Sequence, residues 1–188
     1  MFAKIINLYW KLSSSKIINR IGKRGENVII GTPIDITKPE NLQLGNHVYI
    51  GPNAWISTYG TVQIMTGTII GPRLKIYTGN HNYNSDRLLP YDEITIAKNV
   101  TIKENVWIGG DVTILPGITI EEGAIVGASS VVTKDVPKGA IIGGNPAKIL
   151  KYRDLEKYDK LKQEGKIYLQ EKTKTNLKMV VKNYESNI

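Results

Sequence analysis

Few side chains in this 188-residue chain can carry a proton at neutral pH: His47 and His81 are its two histidines, and it has no cysteine. Histidine is the side chain whose ordinary pKa lies nearest physiological pH, so it can take a proton from a hydroxyl and later return it to a leaving thiolate. His81 sits in TGNHNYNSDRLLPYDE, beginning at Thr78. Read from the residues alone, it is either a proton-transfer group or a solvated turn residue. His47, in the turn GNHV, reads as a surface residue. Two histidines cannot build a three-histidine metal site within one chain. The lack of cysteine excludes a thiolate nucleophile, a disulfide framework and cysteine-held zinc or iron–sulfur. No metal is expected.

The elements that must position His81 follow from a repeat. An aliphatic residue recurs every six positions at Ile96, Ile102, Ile108, Ile114, Ile120, Val126 and Val132. Two residues before each later member stands Val100, Val106, Val112, Ile118, Ala124 or Ser130. The first half keeps the period with two-residue slips: Ile30, Ile36 and Leu42; Leu44, Ile50, Ile56 and Val62; Ile64, Ile70 and Ile76. A period of six fits neither an α-helix nor a flat amphipathic strand. It fits short strands turning the corners of a prism, with residues i−2 and i on one face of a strand. Three such faces make a coil of about 18 residues that gains its core by stacking on its neighbours, at about 1.5–3 kcal/mol per buried aliphatic side chain. Gly31, Gly45, Gly51, Gly71, Gly109 and Gly127 follow the aliphatic residue, where positive φ at a corner is expected. The segment between Ile76 and Ile94 lacks the repeat, so residues 78–94 are expected to form a loop thrown out from the prism. Long loops on rigid repeats are commonly functional.

The expected organisation is an N-terminal amphipathic helix within 1–25, a solenoid over 26–147, and a C-terminal helix and tail over 148–188. The last helix is placed on ILKYRDLEKYDKLKQEG, with apolar residues at 150, 155, 158 and 161, a Glu156/Lys160 pair and Gly165 as a stop. Hydrophobic residues at 41% and charged residues at 22% describe a soluble globular protein. The net charge of +8 is uneven. Residues 1–25 hold six basic side chains and no acid, residues 148–188 hold eleven against six, and the middle holds eight against eleven. Basic ends on an acidic middle suit local patches for phosphates, an anionic membrane or a partner, and argue against a broad nucleic-acid face. No stretch reaches the roughly 18 apolar residues of a membrane span, and FAKIINLYWKL, broken by Lys4 and Lys11, lacks a small-residue cleavage site. A cytoplasmic location is expected, with peripheral contact of residues 1–25 with the inner membrane as one reading and a cap on the solenoid as the other.

The six-residue pattern resembles the hexapeptide-repeat acyltransferases, whose fold is a left-handed parallel β-helix, an exception to right-handed crossovers. The stretch NVWIGGDVTILPGITIEEGAIVGASSVVTKDVPKGAIIGGNPAKILKYR, Asn105 to Arg153, resembles the terminal coils of the maltose and galactoside acetyltransferase branch and of sugar O-acetyltransferases in surface-polysaccharide gene sets. With the loop and earlier coils the similarity spans about residues 30–153. The resemblance implies acetyl-CoA as acyl donor, His81 as the general base toward an acceptor hydroxyl of a sugar or saccharide precursor, and a homotrimer with active sites between subunits. Asn80, Tyr83 and Asp86 on the loop are expected to meet the acceptor.

Coenzyme A positions carry over one at a time. Trp107 would border the cleft, Gly110 and Ala128 would let the pantetheine arm approach the backbone, and Thr133 and Lys134 would lie at the adenine and phosphate end. Lys148 and Lys151 would meet nucleotide phosphates. The chain departs from the galactoside-type pattern in two places. Gly51 stands where that branch has a substrate-contacting asparagine, with Asn53 two residues on as the expected substitute, and the longer N-terminal helical domain is replaced by one basic stretch. γ-Class carbonic anhydrases share the fold but need three histidines, and the large helical domain of serine acetyltransferases is missing. A sugar-nucleotide N-acetyltransferase and a noncatalytic β-helix scaffold remain the other readings.

Overall fold

The computed structural model describes residues 2–182; the side chains of residues 2–5, 7, 9 and 11 lie outside the description. After helix α1 (Phe2–Ile18) the chain winds through triplets of short strands. The first coil is β1 (Lys23–Arg24), β2 (Ile29–Ile30) and β3 (Ile34–Ile36), and the second is β4 (Leu42–Leu44), β5 (Tyr49–Ile50) and β6 (Ala54–Ile56). The third is β7 (Val62–Ile64), β8 (Ile69–Ile70) and β9 (Lys75–Ile76). A hairpin of β10 (Gly79–His81) and β11 (Thr95–Ala97) interrupts the winding. The fourth coil is β12 (Val100–Ile102), β13 (Trp107–Ile108) and β14 (Thr113–Ile114), and the fifth is β15 (Thr119–Ile120), β16 (Ile125–Val126) and β17 (Val131–Val132). A sixth turn enters through the bridge Ile120–Val136 and runs into β18 (Ala140–Gly143), against which β19 (Lys148–Tyr152) folds back antiparallel.

The strands stack into three parallel faces: face A, β1-β4-β7-β12-β15; face B, β2-β5-β8-β13-β16-β18-β19; face C, β3-β6-β9-β14-β17. This is a parallel β-solenoid of about six turns, consistent with the left-handed β-helix. Registers are residue on residue, so like side chains form columns. Leu44, Ile64, Ile102 and Ile120 line face A, Ile50, Ile70, Ile108 and Val126 face B, and Ile56, Ile76, Ile114 and Val132 face C, all buried. These columns, together with the buried residues two positions before them, such as Val62, Val106 and Val112, fill the prism, and no coil has a core of its own.

The structure corrects several expectations. Ile96 keeps the six-residue spacing but lies exposed on β11, so the regular second half begins at Val100. None of Gly31, Gly45, Gly51, Gly71, Gly109 and Gly127 has positive φ. Their requirement is closeness between coils: a Cβ on Gly71 would sit 2.6 Å from the Gly110 nitrogen, and one on Gly109 2.6 Å from the Ala128 nitrogen. Positive φ belongs to neighbouring corner columns, Asn27, His47, Gly67, Asn105 and Gly123 between faces A and B, and Asn53, Arg73, Asp111 and Ser129 between B and C. Face A begins at Lys23, inside the segment assigned to the N-terminal helix, and residues 148–152 form β19 where a helix was expected. Pairing with the edge of β18 outcompetes helix there, and α2 (Leu155–Gln163) starts only after Asp154, whose side chain accepts from the Lys157 backbone N–H. Residues 183–188 of the expected tail lie outside the described residues.

The C-terminal segment climbs the A–B corner along the solenoid. In α2, Tyr158 is buried over Gly123 and its hydroxyl accepts from Asn105 Nδ2 at 3.3 Å. Lys162 ion-pairs with Glu104 and Glu122, and Lys138 with Glu122 and Asp159. A second helix, α3 (Tyr168–Thr175), buries Leu169. Asn27 Nδ2 donates to the Leu169 carbonyl and the Thr173 hydroxyl and lies 3.1 Å from His47 Nδ1. His47, expected as a surface residue, is half-buried in this corner.

Candidate active site

The C-terminal segment packs along the A–B corner. Every long insertion falls at the corner from face C to face A: Ile36 to Leu42 and Ile56 to Val62 each use turns longer than the tight link from Ile114 to Ile118, and the hairpin leaves from the same corner. Insertions on one edge of a repeat array mark its working face.

The hairpin is fastened at its root. The buried Thr78 hydroxyl donates to the Ser57 carbonyl at 2.6 Å and accepts from the Gly60 N–H at 3.0 Å, while the Lys98 N–H closes on the Thr78 carbonyl at 2.7 Å. Gly79 lies against the Tyr59 ring, where a Cβ would come within 2.9 Å. Then β10 and β11 pair antiparallel, with His81 opposite Thr95. The segment expected as a loop over 78–94 is therefore a hairpin whose return strand reaches Ala97.

Beyond His81 the chain is organised by Asp92, which is buried. One carboxylate oxygen accepts from the Ile94 N–H at 2.9 Å and the other from Asn82 Nδ2 at 2.8 Å, with Arg87 4.0 Å away. The Ile94 hydrogen bond, with help from Ser85, Asn82 and Arg87, holds this carboxyl below the usual range against the opposing effect of burial. Asn82 thus ties the residue after His81 to the return limb, and next to Asp92 the Tyr91 ring stacks on the His81 imidazole, centroids 3.8 Å apart at 13°. The His81 side chain is exposed, and among the described residues neither ring nitrogen has a hydrogen-bond partner. Both are open to an incoming group.

Asn80, Tyr83 and Asp86 share this hairpin and are exposed; Asn80 Oδ1 accepts from the His81 N–H at 3.0 Å. Asn53 is exposed on the opposite edge of face C, at the B–C corner, so one chain does not bring it beside His81. Gly110 and Ala128 lie on that same B–C corner in successive coils, flanked by the bidentate pair Arg73–Asp111 at 2.5 and 2.6 Å. Between the corners, face C turns Trp55, Lys75, Thr113 and Val131 outward in one ladder, and Trp55 meets Tyr77 at 4.9 Å. In the last coils Thr133, Lys134 and Lys148 line a cavity of about 350 Å³ with Pro146, Ala147 and Ile149. Lys151 is exposed on the same strand as Lys148, outside that cavity. Trp107 is more than half exposed on face B, at a second cavity of about 390 Å³ shared with Ile69, Ile125, Tyr158 and Tyr168. No group of metal-ligating side chains is present among the described residues.

Tyr91, Asp92 and Asn82 escaped the sequence reading. Only the compact NHN…YDE pattern on the two limbs of the insertion signals them, and their partnership needs the hairpin register.

A family model described as bacterial transferase hexapeptide (six repeats) matches residues 99–134. The chain is 34% identical over 132 residues to WcaF of Escherichia coli (strain K12), provisionally named a colanic acid biosynthesis acetyltransferase, covering 70% of this chain and 69% of that protein. A hexapeptide-repeat acetyltransferase of Vibrio cholerae, solved with acetyl coenzyme A, superposes with a TM-score of 0.68 at 32% identity over 73% of this chain and 75% of that one. A maltose O-acetyltransferase of Clostridium difficile superposes at 0.69 and 30% identity, over 73% of each chain. Fold, repeat and extent of identity agree: the chain belongs to the hexapeptide-repeat family of acyltransferases.

Proposed function

We propose that this protein transfers an acetyl group from acetyl-CoA to a hydroxyl of a sugar or saccharide precursor, with His81 as general base, in surface-polysaccharide synthesis in the cytoplasm. The observation that carries the reading is the presentation of His81: an exposed imidazole, both nitrogens open, held on a hairpin pinned by Asp92 and backed by Tyr91. Acetyl-CoA as donor is supported by the Vibrio cholerae structure, and a saccharide hydroxyl as acceptor by the names of WcaF and the maltose enzyme.

In this reading the nucleotide of coenzyme A lies at Thr133, Lys134 and Lys148, with Lys151 nearby, and the pantetheine arm runs along Gly110 and Ala128, whose small side chains let amides reach backbone partners. His81 removes the acceptor hydroxyl proton as the oxygen attacks the thioester carbon. The tetrahedral intermediate then collapses, the carbon–sulfur bond breaks and the imidazolium returns its proton to the thiolate. General-base help supplies about 10²–10⁴ in rate. Asn80, Tyr83 and Asp86 face the acceptor from the hairpin. In a homotrimer, Asn53 and Trp107 of one subunit would complete the site at the His81 hairpin of the next, which accounts for their distance from it within one chain.

The test is acetyl-CoA consumption, followed by thiol release, across sugars, nucleotide sugars and saccharide fragments, with the product bond identified by its lability to mild base. A labile ester on a saccharide supports the reading. A stable amide on an amino sugar would replace it with N-acetylation, and no acceptor-dependent turnover would leave the scaffold reading.

A further inference from the structure

We propose that α1 docks the first coil of the solenoid onto an anionic lipid surface. The helix is anchored at its C-terminal end: Ser14 is buried with its hydroxyl accepting from the Ile34 N–H at 3.4 Å, and Ile17 and Ile18 pack on the solenoid core. At about 100° per residue, Leu12 and Leu8 lie about 160° and 120° around the helix from Ser14, on the side away from the solenoid. They are 59% and 57% exposed. Ile6 lies nearer the Ser14 side and is still 43% exposed. An amphipathic helix serving only as a cap would turn such residues inward. Here Ile6, Leu8 and Leu12 leave apolar surface open to another medium.

Charge selects that medium. Residues 1–25 carry six basic side chains and no acid, and Lys16, Lys23 and Arg24 are exposed. A second copy of the same helix would set three like charges, Lys4, Lys11 and Lys16, against three. A leaflet of anionic lipid accepts the apolar side chains and neutralises the charge together. Among the described residues no helix is long and apolar enough to cross a membrane, so α1 would lie in the interface plane. Docked through the first coil, the solenoid keeps its last coils, with Lys134 and Lys148, at the end away from the lipid.

The full chain is tested by flotation with vesicles of phosphatidylglycerol and phosphatidylcholine in equal parts, against phosphatidylcholine alone. Binding at least ~10-fold stronger to the anionic vesicles is expected, falling as salt approaches about 1 M. The double change Leu8→Asp and Leu12→Asp should weaken it by ~100-fold, with an unchanged melting curve showing that the solenoid still folds. Lys16→Gln, at an exposed site, should weaken it by about fivefold. Equal binding to both vesicles, or wild-type binding by the leucine variant, overturns the proposal. So does absence of vesicle binding together with a mass in light scattering that falls in the leucine variant, which would make a second copy the occupant.

Discussion

The imidazole of His81 lies flat against the Tyr91 ring, 3.8 Å between centroids, and this contact fixes the plane of the imidazole. In the proposed mechanism Tyr91 is thereby a positioning residue. Tyr91→Ala should lower kcat by up to about tenfold while leaving the KM for acetyl-CoA nearly unchanged, and Tyr91→Phe should restore most of the loss, because stacking needs the ring and not the hydroxyl. Steady-state kinetics of the two variants decide it. An equal loss in both would move the effect to the phenol oxygen.

Asp92 should matter to turnover more than to folding. Its bonds to Ile94 and Asn82 shape the hairpin and touch none of the three faces. Asp92→Asn should cut kcat at least tenfold, through misplacement of His81, with coenzyme A affinity and melting temperature close to wild type. Calorimetric binding beside kinetics checks this.

Two adjacent glycines should fail differently. Gly109→Ala places a methyl 2.6 Å from the Ala128 nitrogen, so the coils must part, at a cost of about 1–3 kcal/mol or more seen in thermal or urea unfolding. Gly110 has 3.4 Å of room to Pro72. Gly110→Val should fold normally and lose about tenfold or more in coenzyme A affinity, because its side chain fills the groove proposed for the pantetheine arm.

The C-terminal helices should separate from the solenoid in acid before the solenoid melts. Glu122 is held below the usual carboxylate range by its hydrogen bonds to Lys138 and Lys162. A depressed folded-state pKa contributes stability that is present above the unfolded value and lost as pH falls through the folded one. Tyr158 fluorescence and protease sensitivity near residue 165 should therefore change below the ordinary glutamate range, while far-ultraviolet dichroism of the strands persists. Simultaneous loss of both signals contradicts this order.

The solenoid was legible because its core repeats: Ile102, Ile108, Ile114 and Ile120 state the prism in a single line of sequence. His81 was legible because it breaks that line. Ile96 misled because a residue on the return limb of the hairpin kept the spacing by coincidence, and spacing carries no information about burial. Residues 148–152 misled because an unpaired edge of β18 recruits a strand, a tertiary effect invisible in local pattern. The Tyr91 contact depends on the register of two limbs ten residues apart, which nothing in either limb specifies alone. The glycines were found at the right places for a different reason, since close stacking and positive φ both favour the residue without a Cβ.

The most direct measurement compares wild type with His81→Ala for acceptor-dependent release of coenzyme A, with calorimetric binding of coenzyme A to both. Turnover should fall by about 10²–10⁴ while coenzyme A binds both proteins alike. Turnover within a few-fold of wild type in the variant would contradict the assignment of His81 as the base.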